Sequence, residues 1–219
     1  MYIAIEGVIG VGKTTLARLL ESSFQAELCL EVFEENPFLS DFYTDRERYA
    51  FQTQMFFLLS RYHQQRRSIP KTIAQGTALI SDYTFEKDSL FARINLMGDE
   101  LEMYYRVHAA LAEKIPLPDL VIYLRADTDV LMQRIALRDR PYERNMERTY
   151  IENLAQAYDN YYLGDQDAST ERTVSVLTID TNNLDYVRYA DNLKLVENRI
   201  RQALKMKPFQ AEFPINNPV

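Results

Sequence analysis

One stretch, Gly7-Val8-Ile9-Gly10-Val11-Gly12-Lys13-Thr14, fits the pattern G-x-x-x-x-G-K-[ST] and narrows the folds open to this chain more than any other feature. The apolar run Tyr2-Ile3-Ala4-Ile5 before it reads as a strand, and Thr15-Leu16-Ala17-Arg18-Leu19-Leu20 after it reads as a helix. A strand, a glycine loop and a helix in that order form a cradle for phosphate. The glycines let successive backbone N–H groups turn toward one anion, and the helix start adds positive partial charge. Lys13 then reaches the terminal phosphates, and the Thr14 hydroxyl is a ligand suited to Mg²⁺. The loop, with Thr15 in the first helical turn, therefore predicts binding of a nucleoside triphosphate such as ATP.

The 219 residues suit a single domain spanning 1–219, with a core large enough to need no disulfide. A net charge of −7 argues against a dedicated nucleic-acid binder, which needs a basic surface, but leaves room for small phosphorylated ligands in a local basic pocket. Cys29 stands alone, so neither a disulfide framework nor a cysteine metal site can form within the chain. No apolar run approaches a membrane span, and a strand starting at residue 2 leaves no room for a targeting segment. The expectation is a cytoplasmic protein.

Five short runs read as buried strands: Tyr2–Ile5, Leu28–Phe33, Ala78–Ser81, Leu120–Leu124 and Val174–Ile179. Helical periodicity separates or follows them at about 46–67, 101–114, 129–138, 147–162 and 189–206, with Thr128 a candidate N-cap. Alternation of strand and helix predicts an α/β fold, a five-stranded parallel sheet with helices on both faces. The tail from about 207, with three prolines, reads as irregular.

In such sheets the ligand lies beyond the C-terminal strand ends, and two of those ends carry acids. Strand two finishes Val32-Phe33-Glu34-Glu35, and strand three finishes Ile80-Ser81-Asp82. Asp82, beside the phosphate loop, suits Mg²⁺, directly or through water. Glu34 is placed to take a proton from an attacking hydroxyl across the cleft. Arg134 and Arg138 share a helical face, and Arg140 follows in a loop. Arginines closing over a phosphoryl group in flight stabilise its spread negative charge, so a lid at about 134–147 is expected.

With these residues in order, the chain resembles the deoxynucleoside kinase family from its first strand to about residue 190. The family's base-bearing Glu is matched by Glu34 in Phe33-Glu34-Glu35-Asn36-Pro37, and its Tyr, Gln and Arg spacing by Tyr43, Gln54 and Arg61. Its Glu-Arg-Ser motif with a downstream Asp corresponds to Asp82-Tyr83-Thr84 and Asp88, and its arginine-rich lid with a following Glu to Arg134, Arg138, Arg140 and Glu143. The resemblance implies a P-loop kinase in which Glu34 is the general base for a nucleoside 5′-hydroxyl and Asp82 helps to hold Mg²⁺. Gln54 and Asp88 would face the nucleobase, Tyr43 and Glu143 the sugar 3′-hydroxyl, with Arg61 near the base and the catalytic carboxylate. It implies a homodimer packed through helices on one flank, with the helix around Met103-Tyr104-Tyr105 or 46–67 as candidates.

Tyr83 departs from the pattern, because the best-known members carry Arg there, so positive charge beside the 5′-hydroxyl has to come from elsewhere, Arg61 or the lid being candidates. The Asp-Tyr pairing resembles bacterial purine-directed members, which favours deoxyguanosine, then deoxyadenosine, as acceptor. Two other readings compete. A nucleoside monophosphate kinase of the thymidylate kinase type would need a further basic site for the acceptor phosphate and no base at strand two. A non-catalytic member of the fold would be expected to have lost Lys13, Glu34 or the lid arginines, and this chain keeps them all.

Overall fold

The computed structural model describes residues 1–164 and 174–207. Strand β1 (Tyr2–Gly7) runs into the glycine loop and helix α1 (Lys13–Phe24), then β2 (Ala26–Cys29), α2 (Leu39–Thr44) and the long α3 (Arg46–Ala74). After β3 (Ala78–Ser81) come α4 (Lys87–Asn95), α5 (Gly98–Ala112), β4 (Leu120–Arg125), α6 (Thr128–Arg138), α7 (Arg148–Leu163), β5 (Ser175–Asp180) and α8 (Ala190–Ala203). The five strands form one parallel sheet in the order β2-β3-β1-β4-β5. The chain thus starts at the centre, builds one half through β2 and β3, then crosses to build the other. The crevice at that switch point lies beyond the ends of β1 and β3.

All six residues of β1 are buried, as a strand covered on both faces requires. Helix α1 packs on β1, β2 and β3 and against α8, which covers β5, while α3 packs on β2 and β3 and against α4 and α5. Ile3, Ile5, Leu16, Leu20, Leu79, Ile80, Leu120 and Ile122 form the centre of the core. Each such side chain contributes about 1.5–3 kcal/mol by leaving water.

Strand two ends four residues earlier than its apolar run suggests. The backbone N–H of Glu31 donates to Asp82 Oδ1 at 2.8 Å instead of to a neighbouring strand, and the chain then coils into a 3₁₀ turn at Phe33–Glu35. Helix α3 runs past Arg67 and through Pro70 to Ala74, because the helix accommodates the missing N–H close to its end. The cap of α6 is Asp127, and Thr128 is its first helical residue. The short helices α2 and α4 carry too few turns to stand out as a periodic pattern. The proline-bearing stretch from 208 lies outside the described residues.

Candidate active site

Beyond β1 the loop bends through positive φ at Gly7, Gly10 and Gly12. Two of these need glycine for different reasons. A Cβ on Gly7 would fall 2.4 Å from the Leu124 carbonyl oxygen of the adjoining strand, while Gly12 caps α1 in the left-handed region at φ 104°. No side chain caps α1 and no acid stands in its first turn, so its leading N–H groups remain available to an anion. Val8 and Val11 are buried and hold the loop to the core, whereas Ile9, Gly10, Lys13 and Thr14 line the cleft and Thr15 faces solvent. Lys13 folds its ammonium back onto the carbonyls of Gly7 (2.7 Å) and Val8 (3.2 Å). Burial, with repulsion from Lys87 next, lowers its pKa to about 8.

The register of β1 beside β3 brings Asp82 next to the loop. The Thr14 hydroxyl donates to Asp82 Oδ2 at 2.5 Å, and the other carboxylate oxygen receives the Glu31 N–H. One buried acid thus joins the phosphate loop to the end of β2. Hard oxygens paired in this way suit Mg²⁺, which takes few protein ligands and keeps waters and phosphates for the rest. Beneath them Glu6, fully buried, accepts from Thr84 N–H (2.6 Å), Thr84 Oγ1 (2.8 Å), Tyr158 Oη (3.1 Å) and Gly7 N–H (3.2 Å). Its carboxylate fixes the start of the loop to the segment after β3 and to α7.

The acid expected to face the loop, Glu34, is exposed on the 3₁₀ turn and does not line the cleft. Three residues earlier, Glu31 does. Its Oε1 accepts from Arg61, with Nε at 3.2 Å and Nη2 closer, and its Oε2 accepts from Lys87 Nζ at 2.5 Å. Burial alone would raise the Glu31 carboxyl, but the two cations outweigh it and hold it well below the usual carboxylate range. The outward placement of Glu34 has a physical origin: once Asp82 captures the Glu31 N–H, the chain turns and carries Glu34 outward. Sequence offers one signal for Glu31, an acid interrupting an otherwise apolar run.

Helix α3 presents Gln54, Phe57 and Arg61 to the cleft at helical spacing, with Gln54 and Arg61 both buried. Arg61 also bonds Asp88, on the first turn of α4, whose second carboxylate oxygen is buried without a partner among the described residues. Asp88 therefore reaches the cleft through Arg61. Tyr83 does not enter it. Fully buried, it donates from its hydroxyl to Gln64 Oε1 at 2.5 Å and lies beneath Arg61, 5.8 Å from ring centre to guanidinium. Its apolar ring keeps it in the core, where the motif position would have placed a cleft residue.

Arg138 grips the buried Glu143 with two bonds of 2.6 and 2.7 Å, and Arg140 lies 4.0 Å over the Phe33 ring. Tyr142 stacks on Tyr43 at 5.8 Å, so Tyr43, Tyr142, Glu143 and both arginines close one side of a cavity of about 110 Å³. Arg134 stands apart: it bonds the Val11 carbonyl and the Thr181 carbonyl and hydroxyl, bracing the loop from outside the cleft. Phe33, Phe57, Phe91 and Lys87 line the site without any motif to announce them. A larger hollow of about 910 Å³, bounded by residues such as Leu90, Ile94, Val121 and Tyr161, is lined by no phosphate-loop residue among the described residues.

Comparison with known proteins agrees with this geometry. The profile described as "Deoxynucleoside kinase" matches residues 3–205. A deoxyguanosine kinase of Bacillus subtilis is 34% identical over 203 residues, 93% of this chain and 97% of its own length. A deoxyadenosine/deoxycytidine kinase of the same organism is 32% identical over 171 residues, 74% of this chain and 76% of its own. Among solved structures, a deoxyadenosine kinase from M. mycoides with dCMP and dCDP bound superposes with a TM-score of 0.77 at 25% identity, covering 92% of this chain and all of that one.

Proposed function

Because the chain belongs to the deoxynucleoside kinase family, we propose that it transfers the γ-phosphoryl group of ATP to the 5′-hydroxyl of a purine deoxynucleoside, deoxyguanosine before deoxyadenosine. One observation carries the reading. Glu31, an acid held ionised, shares a cleft with Lys13 and Thr14 of a phosphate loop. The purine preference rests on the names of the relatives and on the Asp82-Tyr83 pairing.

In this reading the loop N–H groups and Lys13 bind the β- and γ-phosphates, and Glu31 takes the proton of the 5′-hydroxyl as its oxygen bonds to phosphorus. Gln54, which can both donate and accept, reads the base edge together with the Arg61–Asp88 pair, between Phe57 and Phe91. Tyr43 and Glu143 hold the sugar hydroxyl. Arg138 and Arg140 stabilise the transferring group from a lid at about 134–147, while Arg134 keeps the loop in place. Thr14 and Asp82 would hold Mg²⁺, which neutralises charge on the phosphates when bound. A single kinase domain over 1–219 completes the reading.

No helix among the described residues is long and apolar enough to cross a membrane. A cytoplasmic location is part of the same proposal. The protein acts on small molecules rather than on a nucleic-acid polymer. A homodimer through α5 is part of the same reading: Met103 and Tyr105 of that helix are exposed, whereas Tyr104 is buried. The test is one panel: purified chain, ATP and Mg²⁺ with each deoxynucleoside and each monophosphate as acceptor, with sedimentation for the assembly. Phosphorylation of monophosphates alone, or no transfer to any deoxynucleoside, would overturn the reading.

A further inference from the structure

Lys87 occupies a place that ordinary folding rules disfavour. It is the first residue of α4, where the helix macrodipole repels a cation, and its side chain is 7% exposed. Its ammonium reaches past the Phe91 ring (5.7 Å to the centroid) to Glu31 Oε2 at 2.5 Å, and it lines the same cleft as Lys13 and Thr14.

The other cations near the phosphate loop are already engaged. Arg61 is divided between Glu31 and Asp88, Arg138 forks onto Glu143, and Arg140 lies over Phe33. Arg134 is spent on the carbonyls of Val11 and Thr181. Tyr83, at the motif position where the family resemblance would place an arginine, is buried in the core. Lys87, four residues later, is the cleft cation on the β3–α4 segment, and among the described residues its one carboxylate partner is the acid across from the loop.

We propose that Lys87 is a catalytic residue of this chain, the cation that stands between the acceptor hydroxyl and the transferring phosphoryl group. The inference rests on the kinase reading above. In the transfer the 5′ O–H bond breaks and its proton goes to Glu31. The 5′ oxygen forms the new bond to the γ-phosphorus as the bond from that phosphorus to the β,γ-bridging oxygen breaks, leaving ADP. As Glu31 becomes neutral, the Lys87 ammonium loses its counter-charge and turns its donors to the oxygens where negative charge is concentrated. In the ligand-free protein Glu31 holds that ammonium in waiting.

The test compares the full chain with Lys87→Met and Lys87→Arg in steady-state transfer from ATP to deoxyguanosine. Lys87→Met leaves Glu31 its bond to Arg61, so the fold should survive, and thermal unfolding checks that it does. We expect kcat to fall about 100-fold or more, with the KM of both substrates changed less than about threefold, and Lys87→Arg to recover most of the loss. Unchanged kcat in the Met variant, a loss confined to KM, or an Arg variant as slow as Met would overturn the proposal. Should the Met variant fail to fold, Lys87→Gln, which keeps a donor but no charge, carries the same readings. A wild-type chain inactive on every deoxynucleoside would overturn the kinase reading, and this proposal with it. An active wild type with an unaffected Lys87→Met would overturn this proposal alone.

Discussion

Glu31 and Glu34 lie three residues apart and have opposite fates: one is clamped between Arg61 and Lys87, the other is exposed to solvent. Glu31→Gln should lower kcat by about 10²–10⁴-fold, the usual worth of a general base, with ATP binding largely retained. Glu34→Gln should leave kcat within about twofold. Steady-state kinetics on the pair decide between them, and equal losses in both would remove the distinction. The sequence separates these acids by one weak signal, Glu31 interrupting the apolar run that Glu34 ends. The turn that sends them apart is made by Asp82, which is distant in sequence and captures the Glu31 backbone. Residues set by spacing within one helix were easier to read, and Gln54 and Arg61 share a buried face of α3 as their seven-residue interval requires.

At the level of elements, what is legible is what repeats. The glycine loop and the five strands carry local signals strong enough to place them, and the structure moves mainly both ends of β2 and the end of β1. Helix α4 escapes detection because its nine residues carry two charges at the first turn, both turned inward by partners on other elements. Such tertiary pairing leaves no periodic trace. Glu6 is the clearest joint between elements, a buried carboxylate on β1 that accepts from the segment after β3 and from α7. An amide there would set an N–H₂ group against N–H and O–H donors. Glu6→Gln should therefore destabilise the fold by about 2–3 kcal/mol, read as a lower urea midpoint with an unchanged slope. A midpoint like that of the wild type would show that the joint is not stabilising.

For the whole molecule, the density of buried phenols is a property no single site displays. Burial raises the pKa of eleven of the fifteen tyrosines, among them Tyr2, Tyr43, Tyr83, Tyr158 and Tyr162, with Tyr186 pushed up to about 12. The sign follows directly. Below about pH 10 these groups are protonated whether the chain is folded or not. Above it the unfolded chain releases protons that the folded one retains, so stability falls as pH rises. Tyrosinate absorbance at 295 nm should rise for these residues together with loss of the far-ultraviolet helical signal. Full ionisation of the tyrosines while the helices persist would contradict this.

The fork of Arg138 on Glu143 bears on a different hazard, the waste of ATP on water. A triphosphate arriving alone meets arginines already committed to an internal acid. On the proposed assignment of Glu143 to the sugar, a sugar hydroxyl competing for it would set them free, so commitment of the fuel would wait for an acceptor. Phosphate release without any nucleoside should accordingly be slow, and Glu143→Ala should raise it at least about tenfold relative to productive transfer. Equal leakage in both proteins would show that the fork holds nothing back.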